Sequence, residues 1–353
     1  AVALLLFIFQ RQKLLSNDAV LGTLSHASLA MGVLLISLMA LVWSLRQVRL
    51  EEVISAFTKA DYLLVAGAVV LQLIVIIAIA LRWRLIFNVR PRVSTLFNAL
   101  LIAQLANSII PLRVGGILVR AFLIGKGEGT SKAMVFSTIL VEKAFESFSF
   151  FLLFVSLLPV LAPSAPEYFY LSSFRLSVIL FIGLFPFMVV ATYQRQRGLK
   201  LVQKLMARSS WSERLGVLRK LEGVLDGLEQ LKNRYTMAML WFWTVLIAAI
   251  GMLINYMLLH AFDIQIPVIA AAFVLVVLQM SSRVLPITSL AGIGLFQAMC
   301  IFALAPFSVD AVQALSFGLM LYFVVFIPPS ILGIVALYRT QYSLQRLKEE
   351  VKK

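Results

Sequence analysis

Charge is scarce in this sequence, and acid is scarcer than base. Only 13% of the 353 residues are Asp, Glu, Lys or Arg, against roughly 25% in a soluble globular domain. Sixteen are acidic and 31 are basic, for a formal net charge of +15. Cysteine is nearly absent. A lone Cys300 excludes an internal disulfide and a multi-cysteine metal site, and reads as a small buried residue. The two histidines, His26 and His260, stand far from each other and from any metal-ligand spacing. No Walker loop, HExxH or GxSxG is found. These absences predict no metal, no cofactor and no catalytic residue set.

What is plentiful is apolar sequence, at 61% of the chain. Runs of about 20 apolar residues, the length that crosses a bilayer as a helix, recur throughout. They are long and do not alternate apolar with polar, so helices are expected rather than barrel strands. The expected class is an all-α polytopic membrane protein. The basic residues gather at the ends of the runs, where they set orientation and meet anionic headgroups. With no aromatic-basic RNA motif, nucleic acid is not an expected partner.

Six full spans are predicted, over 27–45, 62–82, 132–158, 172–193, 236–261 and 312–338. Two further runs are interrupted: 94–124 at Pro111 and 268–305 around Pro286. Residues 1–26 begin with a run too short to span, and read as an interfacial segment or the remainder of a longer N-terminus.

Orientation follows from Lys and Arg. Segment 194–235 carries ten of them and the tail 339–353 five, whereas 159–171, 262–267 and 306–311 carry none. The positive-inside rule makes the first two cytoplasmic and the last three external. The stretch 83–93, with Arg84, Arg90 and Arg92, is also cytoplasmic. Loop 46–61, with three basic and three acidic residues, is placed outside by elimination. Segment 94–124 then starts and ends inside and 268–305 starts and ends outside, so both are re-entrant hairpins.

Each half, 27–158 and 172–338, therefore has two spans, a hairpin and a span, in opposite orientation. "IIPLRVGGILVRA" aligns with "VLPITSLAGIGLFQA" when two residues are inserted after the proline. Pro111 then falls on Pro286, Gly115 on Gly292 and Arg120 on Gln297. Inverted repeats with broken helices meeting near the midplane are a transporter design. Both termini are expected in the cytoplasm of a prokaryotic plasma membrane. Insertion 194–235 has Leu215, Leu218, Leu221, Val224, Leu225 and Leu228 at helical spacing. It reads either as a basic amphipathic pair on the membrane surface or as a connector whose stripe packs on the bundle.

Charges inside spans are the candidate functional groups, since each costs about 2.5–3.5 kcal/mol at the helix centre on insertion scales. Arg113 and Arg120 flank the first hairpin tip, and Arg283 precedes the second. Glu142, Lys143 and Glu146 lie in "STILVEKAFESFSF". The arginine fork suits phosphate, donating two parallel hydrogen bonds. Helix starts after the hairpin glycines would add backbone N–H groups. Against this, Arg113 and Arg120 could simply face headgroups. Glu142 and Glu146, four apart, share a helix face. They would shuttle a proton or balance the arginines. Asn107 and Gln297 could orient a ligand, or serve only packing.

These residues resemble a known family. "NSIIPLRVGGILVR", "VEKAFES" and "LPITSLAGIGLFQA" together resemble the lysylphosphatidylglycerol synthase transmembrane family, the flippase-like module of the multiple peptide resistance factor. Asn107, Pro111, Arg113, Gly115 and Arg120 match its first motif, with Gly116 where a glutamate is usual. Glu142 matches the second, and Lys143 and Glu146 are conservative departures. Pro286, Gly292 and Gly294 fit the third, with Gln297 in place of an acid. The resemblance implies hinges at Pro111, Gly115, Gly116, Pro286, Gly292 and Gly294. It implies movement of an anionic phospholipid, an aminoacyl-phospholipid or a polyprenyl-phosphate-type lipid between leaflets. With fifteen residues after Tyr338, a member without the soluble synthase domain is expected. Two alternatives stay open: an integral-membrane transferase acting on a lipid-linked substrate, and a non-transporting partner of a lipid-modifying enzyme.

Overall fold

The computed structural model describes Met39 and residues 49–87, 90–109, 114–127, 132–161, 233–284 and 294–339. Predicted span 27–45 apart from Met39, span 172–193, insertion 194–235 up to residue 232, and the 340–353 part of the tail lie outside the described residues. So do Pro111, Arg113, Pro286 and Gly292.

All regular structure among the described residues is helical. In chain order the helices are α1 (Leu50–Lys59), α2 (Tyr62–Arg84), α3 (Val93–Ile109), α4 (Val114–Gly127), α5 (Lys132–Leu161), α6 (Arg234–Ala261), α7 (Val268–Val284), α8 (Leu295–Leu304) and α9 (Ala311–Arg339), with a 3₁₀ turn at Ala305–Phe307. Three of them, α2, α6 and α9, are long and apolar enough to cross a membrane by length and composition. Segment 94–124 contributes α3 and α4, and segment 268–305 contributes α7 and α8.

Several helix starts are written in the sequence. The Asp61 carboxylate accepts from the N–H groups of Leu63 (2.9 Å) and Leu64 (3.3 Å). Asn233 accepts from Tyr235 at 2.9 Å, and Asp310 from Val312 at 2.9 Å. Each side chain satisfies helix N–H groups that have no partner within the helix.

Segment 46–61, expected as an external loop, contains α1 instead. Val53 and Ala60 are buried and Phe57 packs edge-on to Phe262, centroids 5.4 Å apart. Glu51 and Glu52 sit in its first turn and Lys59 in its last, which suits the helix dipole. Balanced charge, which hid the orientation, also hid a helix whose ends are charged in the favourable sense.

Helices α2 and α6 run antiparallel along each other. The N–H of Asp61 donates to the carbonyl of Ala261 at 2.9 Å at one end. Arg82 reaches Thr244 at the other. Around this pair, α3 packs on α4 and on α9, α7 packs on α8 and on α5, α4 packs on α5, and α8 on α9. Helix α9 approaches α3 closely. Ser108 and Ser330 join their hydroxyls at 3.1 Å. A Cβ placed on Gly333 would lie 2.5 Å from the carbonyl oxygen of Leu101. Small residues let membrane helices approach at backbone distance. Gly333→Ala should therefore lower the unfolding free energy by about 1–3 kcal/mol, the usual cost of overpacking. Thermal unfolding in detergent measures it, and an unchanged midpoint would mean the helices part without cost.

Two apolar cores result. One gathers around Ile254, Leu258, Phe273 and Phe317, near the Asp61–Ala261 end. The other gathers around Trp83, Phe87, Leu96, Ile139 and Leu240.

Candidate functional site

A cavity of about 480 Å³ lies against the α2–α6 pair and is lined by residues of α3, α4, α5, α7, α8 and α9. On α2 its wall is Gln72, Val75, Ile79 and Arg82, spaced to fall on one stripe of a helix.

One end of the cavity is charged. Arg120 of α4 and Glu142 of α5 are both buried, and the guanidinium grips the carboxylate through both Nη atoms. The Nη1–Oε1 distance is 3.4 Å. Arg82 is 1% exposed. It donates to Glu146 Oε1 at 3.0 Å and to Thr244 Oγ1 at 3.3 Å, and lies 3.7 Å from Glu142. The Thr244 hydroxyl donates to the carbonyl of Leu240 at 2.6 Å, which leaves its lone pairs to receive Arg82. Lys143 closes the cluster, with Nζ 2.7 Å from Glu146 and 3.9 Å from Glu142. Among the described residues three cations thus meet two carboxylates, with Arg82, Arg120 and Glu142 buried and Lys143 and Glu146 39% and 19% exposed. Among the described residues neither arginine has a partner for its Nε atom.

The arginine at 120 is held from a second side. Its guanidinium carbon lies 3.9 Å from the centre of the Trp83 ring, a cation–π contact. The fully buried indole is fixed in turn, its Nε1 donating to Thr138 Oγ1 at 2.8 Å.

Asn107 and Gly116 form the floor. The side-chain oxygen of Asn107 accepts the N–H of Gly116 at 2.9 Å, satisfying a first-turn donor of α4 from α3. A Cβ on Gly116 would fall within 2.5–2.7 Å of the Asn107 amide. Glycine here lets Asn107 lie directly on the backbone. Gln72 lies ten residues before Arg82, about 15 Å along α2 at 1.5 Å per residue. With Asn255 and Gln279 it gives the rest of the wall neutral amides.

Of the residues singled out from sequence, the structure brings Asn107, Gly116, Arg120, Glu142, Lys143 and Glu146 to this cavity. Arg113 lies outside the described residues. The backbone of Arg283 falls in α7 and that of Gly115 in α4. Gly294 precedes α8. Gln297 is fully buried between α8 and α9, off the cavity wall. Arg82, Trp83 and Thr244 were not legible as site residues. Arg82 ends a predicted span, where a basic residue reads as an orientation marker. The available signal was the stripe from Gln72 to Arg82, two polar residues on one side of an otherwise apolar helix.

The sequence matches the family described as the lysylphosphatidylglycerol synthase TM region over residues 2–333. The chain belongs to that family. It is 24% identical over 334 residues to a UPF0104 membrane protein of Methanocaldococcus jannaschii, covering 89% of this chain and 96% of that one. It is 32% identical over 108 residues to a UPF0104 membrane protein of Methanothermobacter thermautotrophicus, covering 30% and 32%. No solved structure matches. Membership agrees with the resemblance carried by the three motifs, and gives the chain a place among membrane proteins tied by name to lipid chemistry.

Proposed function

We propose that this protein moves a lipid with an anionic headgroup between the leaflets of a prokaryotic plasma membrane, with both termini cytoplasmic, and is a transporter rather than an enzyme. The observation that carries the reading is the cluster of Arg82, Arg120 and Lys143 around Glu142 and Glu146 at a cavity. Two buried arginines, Arg82 and Arg120, are costly to hold in an apolar surrounding without anionic partners. An entering phosphate is such a partner, and arginine forks match its oxygens. The cavity volume exceeds what a phosphate alone would fill, and the amides of Gln72, Asn255 and Gln279 suit hydroxyls beyond it.

An inverted repeat supports alternating access to such a site. Exchange α2 with α6, α3 with α7, α4 with α8 and α5 with α9. The packing of α3 on α9 becomes that of α7 on α5. That of α3 on α4 becomes α7 on α8, and that of α4 on α5 becomes α8 on α9. The central α2–α6 pair maps onto itself. The motif alignment, which sets Arg120 against Gln297, supports the same exchange.

The test is the purified chain in vesicles of phosphatidylethanolamine and phosphatidylglycerol, 3:1 as the probe composition, holding a trace of tail-labelled fluorescent phosphatidylglycerol. Dithionite destroys label in the outer leaflet only. Inner-leaflet label should become accessible in vesicles holding folded protein. Loss that stops at the outer-leaflet fraction, with and without a pH gradient, would overturn the proposal for phosphatidylglycerol-like cargo.

A further inference from the structure

Behind one wall of the cavity lies a second polar group that the ion cluster does not use. Gln297 is 0% exposed, yet neither its amide nitrogen nor its amide oxygen has a partner among the described residues, and the buried hydroxyl of Tyr322 has none either. Buried amides and hydroxyls are nearly always hydrogen-bonded, so three orphaned atoms at one helix interface require a cause. Gly318 brings the helices together there. A Cβ at that position would stand 3.5 Å from Gln297 Cα and 3.0 Å from Cys300 Cβ. Tyr322 is one turn further along the same face of α9.

What separates these atoms from the cavity is aromatic. Phe296, next to Gln297, and Phe326, one turn after Tyr322, both line the cavity. Phe296 packs edge-on to Tyr322 and to Phe326, with centroids 5.5 and 5.9 Å apart, and Tyr322 lies 4.6 Å from Phe326. These three rings in mutual contact, two of them on the cavity wall, make a partition, and neither Gln297 nor Tyr322 lines the cavity.

We infer that the Phe296–Tyr322–Phe326 partition opens, and that Gln297 with the Tyr322 hydroxyl then forms a second, neutral station for the headgroup. The inference rests on the transport reading. Gln297 aligns with Arg120 across the two hairpins, so the exchange of packing that closes the first hairpin around its ion pair would expose the second. The station's chemistry differs from that of the first. An amide and a phenol offer donors and acceptors to phosphate oxygens and headgroup hydroxyls, but no charge. An anion held by arginines on one side is therefore held more weakly on the other, which favours release there.

The assay is again fluorescent phosphatidylglycerol in phosphatidylethanolamine–phosphatidylglycerol vesicles, run on Gln297→Leu and Tyr322→Phe beside Arg120→Ala. Gln297→Leu should raise the melting temperature, because it removes two buried polar atoms without partners, and should slow lipid movement by about tenfold, the worth of one or two lost hydrogen bonds. A purely structural glutamine would not separate stability from transport in this way. Should leucine fail to fold, Gln297→Met removes the same amide with an unbranched chain. Wild-type transport by a folded Gln297→Leu or Gln297→Met, while Arg120→Ala blocks it, would overturn the second station and assign those atoms to a structural water only. Wild-type transport by all three variants would overturn the transport reading at Arg120 as well.

Discussion

Replacing Arg120 with alanine should cut movement of fluorescent phosphatidylglycerol by about two orders of magnitude, since a two-pronged charge-assisted contact is worth roughly 3 kcal/mol. The variant should still fold. Glu142 keeps Arg82 at 3.7 Å and Lys143 at 3.9 Å, so removing Arg120 leaves no carboxylate alone. It does remove one of the two buried arginines, and with it a partner for an entering anion. Arg120→Lys keeps the charge but loses the fork and the flat stacking on Trp83, and should retain part of the rate. Circular dichroism and thermal unfolding verify folding, and vesicle transport gives the rate. A folded Arg120→Ala protein that moves the lipid at the wild-type rate would reduce Arg120 to a structural ion-pair partner.

Glu142→Gln should do the opposite: harm the fold more than any other single change in the cluster. Glu142 is the carboxylate that Arg82, Arg120 and Lys143 all approach, and it is 2% exposed. Its neutralisation leaves Glu146 as the remaining carboxylate for the three cations among the described residues. Breaking a buried ion pair in this way costs about 3–5 kcal/mol. Glu146→Gln should cost less, because Glu146 is 19% exposed and water supplies part of what is lost. The Glu142→Gln protein should also regain stability on adding phosphatidylglycerol, by more than wild type does. A bound anion takes the place of the missing carboxylate, and binding to the folded state alone stabilises it. Melting temperatures measured in detergent with and without phosphatidylglycerol decide this. Equal gains for variant and wild type would mean that the headgroup does not occupy the carboxylate's place.

The division between what the sequence disclosed and what it withheld follows from physics. The apolar runs of α3, α4, α7 and α8 were legible because their length and hydropathy announce helices at membrane depth. Helices starting at Tyr62, Arg234 and Ala311 carried Asp61, Asn233 and Asp310 before them. The pairing of Arg120 with Glu142 was readable as a balance of charge, because an unpaired arginine at that depth is expensive. The role of Arg82 was not, because the residue's burial depends on which way the last turn of α2 faces. Arg84, two residues on, shows the contrast. It points away and donates to the carbonyl of Pro91 at 2.9 Å. Two positions are 200° apart on a helix, so neighbouring arginines that look alike in sequence have opposite fates. Trp83 was withheld for a similar reason. An aromatic at the end of a span reads as an interfacial anchor, and only the fold brings Arg120 over its ring. The amphipathic α1 escaped because its apolar positions span only ten residues between charged ends.

The near-contact of Gly333 with the carbonyl of Leu101, together with the Ser108–Ser330 hydroxyl pair, has a mechanical meaning. Helices whose backbones touch interlock like meshed teeth, and one cannot slide past the other by half a turn without first moving apart. Helix α3 is an arm of the first broken segment, whereas α9 comes from the far end of the chain. A push on either is therefore delivered to the other as displacement rather than dissipated as slippage, which makes this seam a transmission between the two ends of the protein.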